Sequence, residues 1–136
     1  MDFLRIRLET FQRVLNSAAR LLTGTHKYNH ITPILIELHW LPVEQRIIYK
    51  IILMTCKALY GPAPQYITYL ISPYKPSRSL RSSKANLLNE PRFNVNSNGG
   101  RAFYVYSPRL WNKLPTTIRA CVDFMEFKSK LKTHFV

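Results

Sequence analysis

Apolar side chains at Leu4, Leu8, Phe11, Leu15, Ala18 and Leu22 step by four and three residues, the seam of an amphipathic helix that runs to Gly24. Arg5, Glu9, Gln12, Arg13, Asn16 and Arg20 lie off that seam. Too few heptads follow one another for a sustained coiled coil, so a core-facing helix is the first reading and a partner-binding seam the second. His30-Ile-Thr-Pro33 predicts a short helix with Thr32 as cap and Pro33 in its first turn, leading to Leu35, Leu38 and Trp40 and stopped by Pro42. Val43 to Tyr60 is the second long helix. Its apolar residues form two stripes, Ile47, Ile51, Met54, Ala58 and Ile48, Ile52, Cys56, Leu59, which predict burial on most sides, and Arg46, Lys50 and Lys57 form a polar ridge. Gly61-Pro62 ends it, and Ala63 to Ile71 makes a further short helix before Pro73.

From Ser72 to Lys84 the proline and serine spacing predicts an extended connector. Beyond it the pattern changes. Leu87 to Val95 and Arg101 to Tyr106 read as two strands of a small hairpin, turned by Asn96 to Gly100, although Pro91 weakens the first. In the second, Tyr104 and Tyr106 share one face and Phe103 and Val105 the other, so an open tyrosine face would offer a stacking platform, while burial of both faces is the plainer expectation. Pro108 to Pro115 reads as one or two helical turns anchored by Trp111. The last helix starts at Asp123, with Glu126 completing a capping box, and carries Phe124, Phe127, Leu131 and Phe135 on one side against Lys128, Lys130 and Lys132. The predicted class is α+β, mainly helical, with residues 1–71 as a helical half and 72–136 as connector, hairpin and C-terminal helix of one compact domain.

Composition adds a partner. The 136 residues carry a formal net charge of +13, distributed as eight cations against four acids over 1–71, eight against one over 72–113 and four against two over 114–136. Such an excess attracts a polyanion. Lys75, Arg78, Arg81 and Lys84 recur about every third residue in an extended, serine-rich segment, a spacing that lays successive charges along a phosphate backbone; Arg101, Arg109 and Lys113 extend the candidate surface. The alternative is a solvated loop.

Catalysis finds little support. The two aspartates, Asp2 and Asp123, stand at opposite ends of the chain, so the clustered carboxylates of two-metal chemistry are missing. His26 and His30 have ligand spacing but sit among loop residues with no nearby cysteine, and His39 reads as a packing residue between Leu38 and Trp40. Cys56 lies in a helical stripe and Cys121 lacks a sequence-level partner, so neither predicts a nucleophile or a disulfide framework. Gly99-Gly100-Arg101 lacks phosphate-loop spacing. No catalytic residue, metal site or cofactor is expected. The charged start lacks a signal-peptide core, and no apolar run nears the roughly 20 residues of a membrane span, which points to an intracellular protein of nucleus or cytoplasm.

A series of motifs then falls into one order: Asn16-Ser-Ala-Ala-Arg-Leu-Leu-Thr23, His30-Ile-Thr-Pro33, Leu38-His-Trp-Leu-Pro-Val43, Arg46-Ile-Ile-Tyr-Lys-Ile51, Gly61-Pro-Ala-Pro64 and Pro73-Tyr-Lys-Pro-Ser-Arg78. Leu80-Arg-Ser82, Arg101-Ala-Phe103, Pro108-Arg-Leu-Trp-Asn-Lys-Leu-Pro115, Phe127-Lys128 and Leu131-Lys-Thr133 continue it. With these the chain resembles the extreme C-terminal region of non-LTR, LINE-type retrotransposon polyproteins, downstream of the reverse transcriptase domain. Tyr106-Ser107 departs from the small residues of that pattern. The resemblance implies a stranded or domesticated fragment that begins inside a longer helical region and lacks the polymerase's adjacent aspartates. It implies sequence-nonspecific binding of RNA or DNA, or, alternatively, a scaffolding segment whose first-helix seam, Leu4, Leu8, Phe11 and Leu15, docks on the missing polymerase domain.

Overall fold

The computed structural model describes residues 3–76, 86–92, 100 and 102–135. Among these the chain forms seven helices: α1 (Phe3–Thr23), α2 (Ile31–Glu37), α3 (Val43–Tyr60), α4 (Gln65–Thr68), α5 (Phe103–Lys113), α6 (Thr116–Arg119) and α7 (Phe124–Phe135). It divides into two compact units, Met1–Ile48 with His134–Val136, and Tyr49–Thr133. The division falls inside α3.

In the first unit α1 packs on α2 around Ala19, Ile34 and Leu35, with Leu15, Ile31, Leu38 and Trp40 closing the cluster. Both helices end in the same way. Gly24 takes a left-handed conformation (φ 64°) and the Thr25 amide reaches back to the Arg20 carbonyl at 3.1 Å. At the end of α2 His39 (φ 54°) fills the equivalent position, with the His39 amide on the Ile36 carbonyl and the Trp40 amide on the Leu35 carbonyl. His39 is therefore an exposed helix terminator and not the packing residue expected from its neighbours. His30, not Thr32, occupies the N-cap of α2, without a side-chain bond, which moves Pro33 two positions deeper into the first turn. The start of α3 is capped from a distance: the Val43 amide donates to Gln12 Oε1 at 2.8 Å, satisfying one of the amides a helix leaves unpaired.

The second unit buries Ile52, Cys56, Ile67, Ile71, Leu88, Val105, Leu110, Trp111, Phe127 and Leu131. The indole of Trp111 stacks on Phe127, centroids 5.5 Å apart, and its Nε1 donates to the Asn86 carbonyl at 2.8 Å. Of the two stripes expected on α3, only part is covered, since Ile47 and Met54 remain exposed while Ile52, Cys56 and Ala58 are buried. Thr55 is buried as well. Its hydroxyl donates to the Ile51 carbonyl at 2.8 Å, so its single proton is used, and Ser107 Oγ, 2.8 Å away, must be the donor in their mutual bond. Thr55→Val should therefore cost about 1–3 kcal/mol by stranding the Ser107 hydroxyl, whereas Thr55→Val with Ser107→Ala should recover much of it. Urea denaturation of the two single variants and the double variant measures this, and strictly additive losses would remove the pair from the account.

Among the described residues the predicted hairpin is not seen. Residues 103–106, read as its second strand, are the first turn of α5, and the described part of the first is an isolated antiparallel bridge between Pro73 and Leu88; Phe93 to Gly99 and Arg101 lie outside the described residues. The alternation of Phe103 to Tyr106 is too short to settle the period. Followed onward, Val105, Pro108 and Trp111 line up at helical spacing with Ser107, Leu110 and Leu114, and all six are buried. Pro108, expected to open a helix, sits within α5, where it forgoes one bond, that to the Tyr104 carbonyl. The class is helical. At α7 the expected cap is present: the Glu126 amide donates to Asp123 Oδ2 at 2.8 Å. No helix among the described residues is long and apolar enough to cross a membrane.

Candidate nucleic-acid interface

Lys75, Arg109 and Lys113 are the proposed phosphate contacts that fall among the described residues; Arg78, Arg81, Lys84 and Arg101 lie outside them. All three are exposed and belong to the second unit. Arg109 and Lys113 stand four apart on α5, hence on one face of it. Lys75 follows a short extended piece that pairs with residues 87–89, the Tyr74 amide on the Leu87 carbonyl and the Asn89 amide on the Ser72 carbonyl, each at 2.9 Å.

That pair is fastened to α5 by one side chain. Asn112 accepts from the Leu88 amide at 2.9 Å and donates to the Leu88 carbonyl at 3.0 Å, reproducing the bonds of a neighbouring strand, and Trp111 holds Asn86 from the same helix. Both flanks of the basic connector, Pro76 on one side and Asn86 on the other, thus belong to the substructure that carries Arg109 and Lys113. A depression of about 300 Å³ lies along it, lined by Tyr74, Leu87, Leu88, Asn89, Glu90 and Asn112.

Glu90, the acid within residues 72–113, is held there. Its carboxylate accepts from Asn112 Nδ2 at 2.8 Å and lies 3.9 Å from Arg109 Nε. Both charged groups of that ion pair are roughly half exposed, so it contributes little to stability.

Two features lay outside sequence reasoning. Arg119 on α6 is buried, with no partner for Nε or Nη1 among the described residues, and desolvation lowers its pKa below the usual range. Nothing in Pro115-Thr-Thr-Ile-Arg119 distinguishes this arginine from a surface one. The second feature is the cysteine environment. Burial, then the neighbouring Cys121, pushes the Cys56 thiol up to about 11, and Cys121 Sγ donates to the Thr117 carbonyl at 3.3 Å while accepting from Lys130 Nζ at 3.4 Å. Lys130 also pairs with Glu126 at 2.8 Å, and these partners raise its pKa. At neutral pH Cys56 is a protonated core residue.

Comparison with protein-family models, curated proteins and solved structures finds no match. Among the described residues no three histidine, cysteine or acidic side chains are grouped so as to hold a metal ion. His26 stacks on Tyr28, with Lys27 over the same ring, in the turn between α1 and α2. What the second unit assembles is a set of exposed cations on a helix and a clamped extended pair, an arrangement able to bind phosphates by charge and hydrogen bonds.

Proposed function

We propose that this chain is a non-catalytic fragment of a retrotransposon-derived reverse transcriptase polyprotein, acting inside the cell, in nucleus or cytoplasm, as a sequence-nonspecific binder of RNA or an RNA/DNA hybrid. The observation that carries the reading is the charge of residues 72–113, eight cations against the single Glu90, whose carboxylate is already engaged by Asn112 and Arg109. Lys75, Arg78, Arg81, Lys84, Arg101, Arg109 and Lys113 supply phosphate contacts, and release of condensed counterions drives association.

Fluorescence anisotropy of the purified chain against labelled single-stranded RNA and the matching DNA, repeated across a salt series, tests it. Saturable binding that weakens steeply with salt is expected. Replacing Lys75, Arg78, Arg81 and Lys84 together by alanine should flatten the logarithmic salt slope by up to about four contacts' worth, roughly 0.7 per contact on a single strand. An unchanged slope would take the connector out of the interface.

A second reading has its own observation. Among the described side chains of α1 the exposed apolar residues are Ile6, Phe11, Val14, Leu21 and Leu22, with Leu21 84% exposed, while Leu15 turns into the α1–α2 cluster and Leu8 is half-buried. Of the strip expected along Leu4, Leu8, Phe11 and Leu15, Phe11 is exposed, Leu8 and Leu15 are partly covered, and the Leu4 side chain lies outside the described ones. Large exposed apolar strips mark contact surfaces, and a protein partner docked there is the scaffolding alternative. Absence of nucleic-acid binding at low salt would leave it as the better account.

A further inference from the structure

Six of the eight tyrosines stand among the exposed large apolar residues, whereas Trp111 and Phe127 are fully buried. Single exposed tyrosines need no explanation. Two of them, however, sit together: Tyr66, 69% exposed, and Tyr69, 81% exposed, are three residues apart on α4 and its C-terminal cap, where the backbone of Tyr69 stays helical at φ −66° and ψ −20°. Residues at that spacing are surface neighbours. Neither ring nor hydroxyl has a partner among the described residues, and Leu70 beside them is exposed as well.

The turn that presents them is held firmly. Ile67, between the two rings, and Ile71, just after them, are buried in the second unit's core, and Pro62, Pro64 and Pro73 restrict the chain on both sides. Tyr74, also exposed, follows and leads directly into Lys75. The surrounding chain is free of acids: from Gln45 to Asn89 no aspartate or glutamate occurs, while Arg46, Lys50, Lys57, Lys75, Arg78, Arg81 and Lys84 do. Rigid exposed aromatic rings within a run of cations are the combination that single strands use, backbone phosphates on the charges and unpaired bases on the rings.

We infer that Tyr66 and Tyr69 form a stacking platform for the bases of a single-stranded nucleic acid, an inference that rests on the nucleic-acid reading above and names the strand form it takes. A duplex keeps its bases stacked inside and offers nothing to the rings, so discrimination here is between single strand and duplex. Tyr66 and Tyr69 take the part that an open hairpin face would have given to Tyr104 and Tyr106, which lie instead on α5, Tyr104 exposed and Tyr106 half-buried.

The test compares the full chain with Tyr66→Ala/Tyr69→Ala and Tyr66→Phe/Tyr69→Phe, on a labelled single strand of about 12 nucleotides, the matching abasic strand and the matching duplex. Circular dichroism checks that the variants fold, which the exposure of both rings favours. The alanine pair should bind the base-bearing strand at least about tenfold more weakly with an unchanged salt slope, and bind the abasic strand as the wild type does. The phenylalanine pair should retain wild-type affinity. If the wild type binds with a steep salt slope but the alanine pair binds the base-bearing strand equally well, the platform is overturned and the basic interface stands. If the wild type binds none of the three, both readings fall.

Discussion

Trp111→Ala should lower stability by about 3–5 kcal/mol, the cost of deleting a large buried aromatic, and so remove much of the roughly 5–15 kcal/mol that holds a typical domain folded. Three losses coincide. The indole is fully buried, it stacks on Phe127 at an interplanar angle of 21°, and its Nε1 donates to the Asn86 carbonyl, fixing the chain where it returns to α5. Trp111→Phe retains the stack and most of the volume but strands that carbonyl, so it should cost only about 1–2 kcal/mol. Urea denaturation followed by far-ultraviolet circular dichroism measures both. A loss below about 1 kcal/mol for the alanine variant would mean that Trp111 does not centre this core.

Alkaline pH should destabilise the protein through Cys56. Its thiol is raised from 9.0 to about 11, by burial first and by Cys121 second. Below pH 9 the thiol is protonated whether the chain is folded or unfolded, and its stabilising contribution is complete. Between about pH 9 and 11 the unfolded chain releases the proton while the folded chain keeps it, so stability falls as pH rises, by roughly 2–3 kcal/mol across that window. Tyr49 and Tyr60, both raised by burial, act in the same direction above pH 10. Cys56→Ala should show a lower stability at pH 8 from the small cavity it creates, but a shallower decline from pH 8 to 11. Parallel declines in the two proteins would exclude Cys56 as the group responsible.

Local signals account for the elements that sequence and structure share. The three-four step of the first helix and Gly24 after it lead to α1; the long apolar run between Pro42 and Gly61 leads to α3 from Val43 to Tyr60; Asp123 with Glu126 marks the start of α7. Each depends on side chains within one turn of the position they determine. The exposure of Lys75, Arg109 and Lys113 was legible for a similarly simple reason, since burying a charged group carries a large desolvation cost.

The misreadings have another source. Residues 103–106 carry a valid strand pattern and a valid helix pattern at once, and the choice fell to burial of Val105, Ser107, Leu110 and Trp111 on one face of α5. Ile47 and Met54 are as apolar as Ile52, yet only Ile52 is covered. The side chains that bind distant segments together, Gln12 on the Val43 amide and Asn112 on Leu88, are polar residues whose partners lie 31 and 24 positions away. By itself the sequence determined the main helices, the Gly24 stop, the Asp123 cap and a basic polyelectrolyte character, because periodicity, backbone preference and net charge are local or additive. Only the tertiary structure decided which apolar faces are covered, that residues 103–113 are a helix, and that Lys75 belongs with Arg109 and Lys113, because burial and long-range hydrogen bonds depend on which segment arrives opposite.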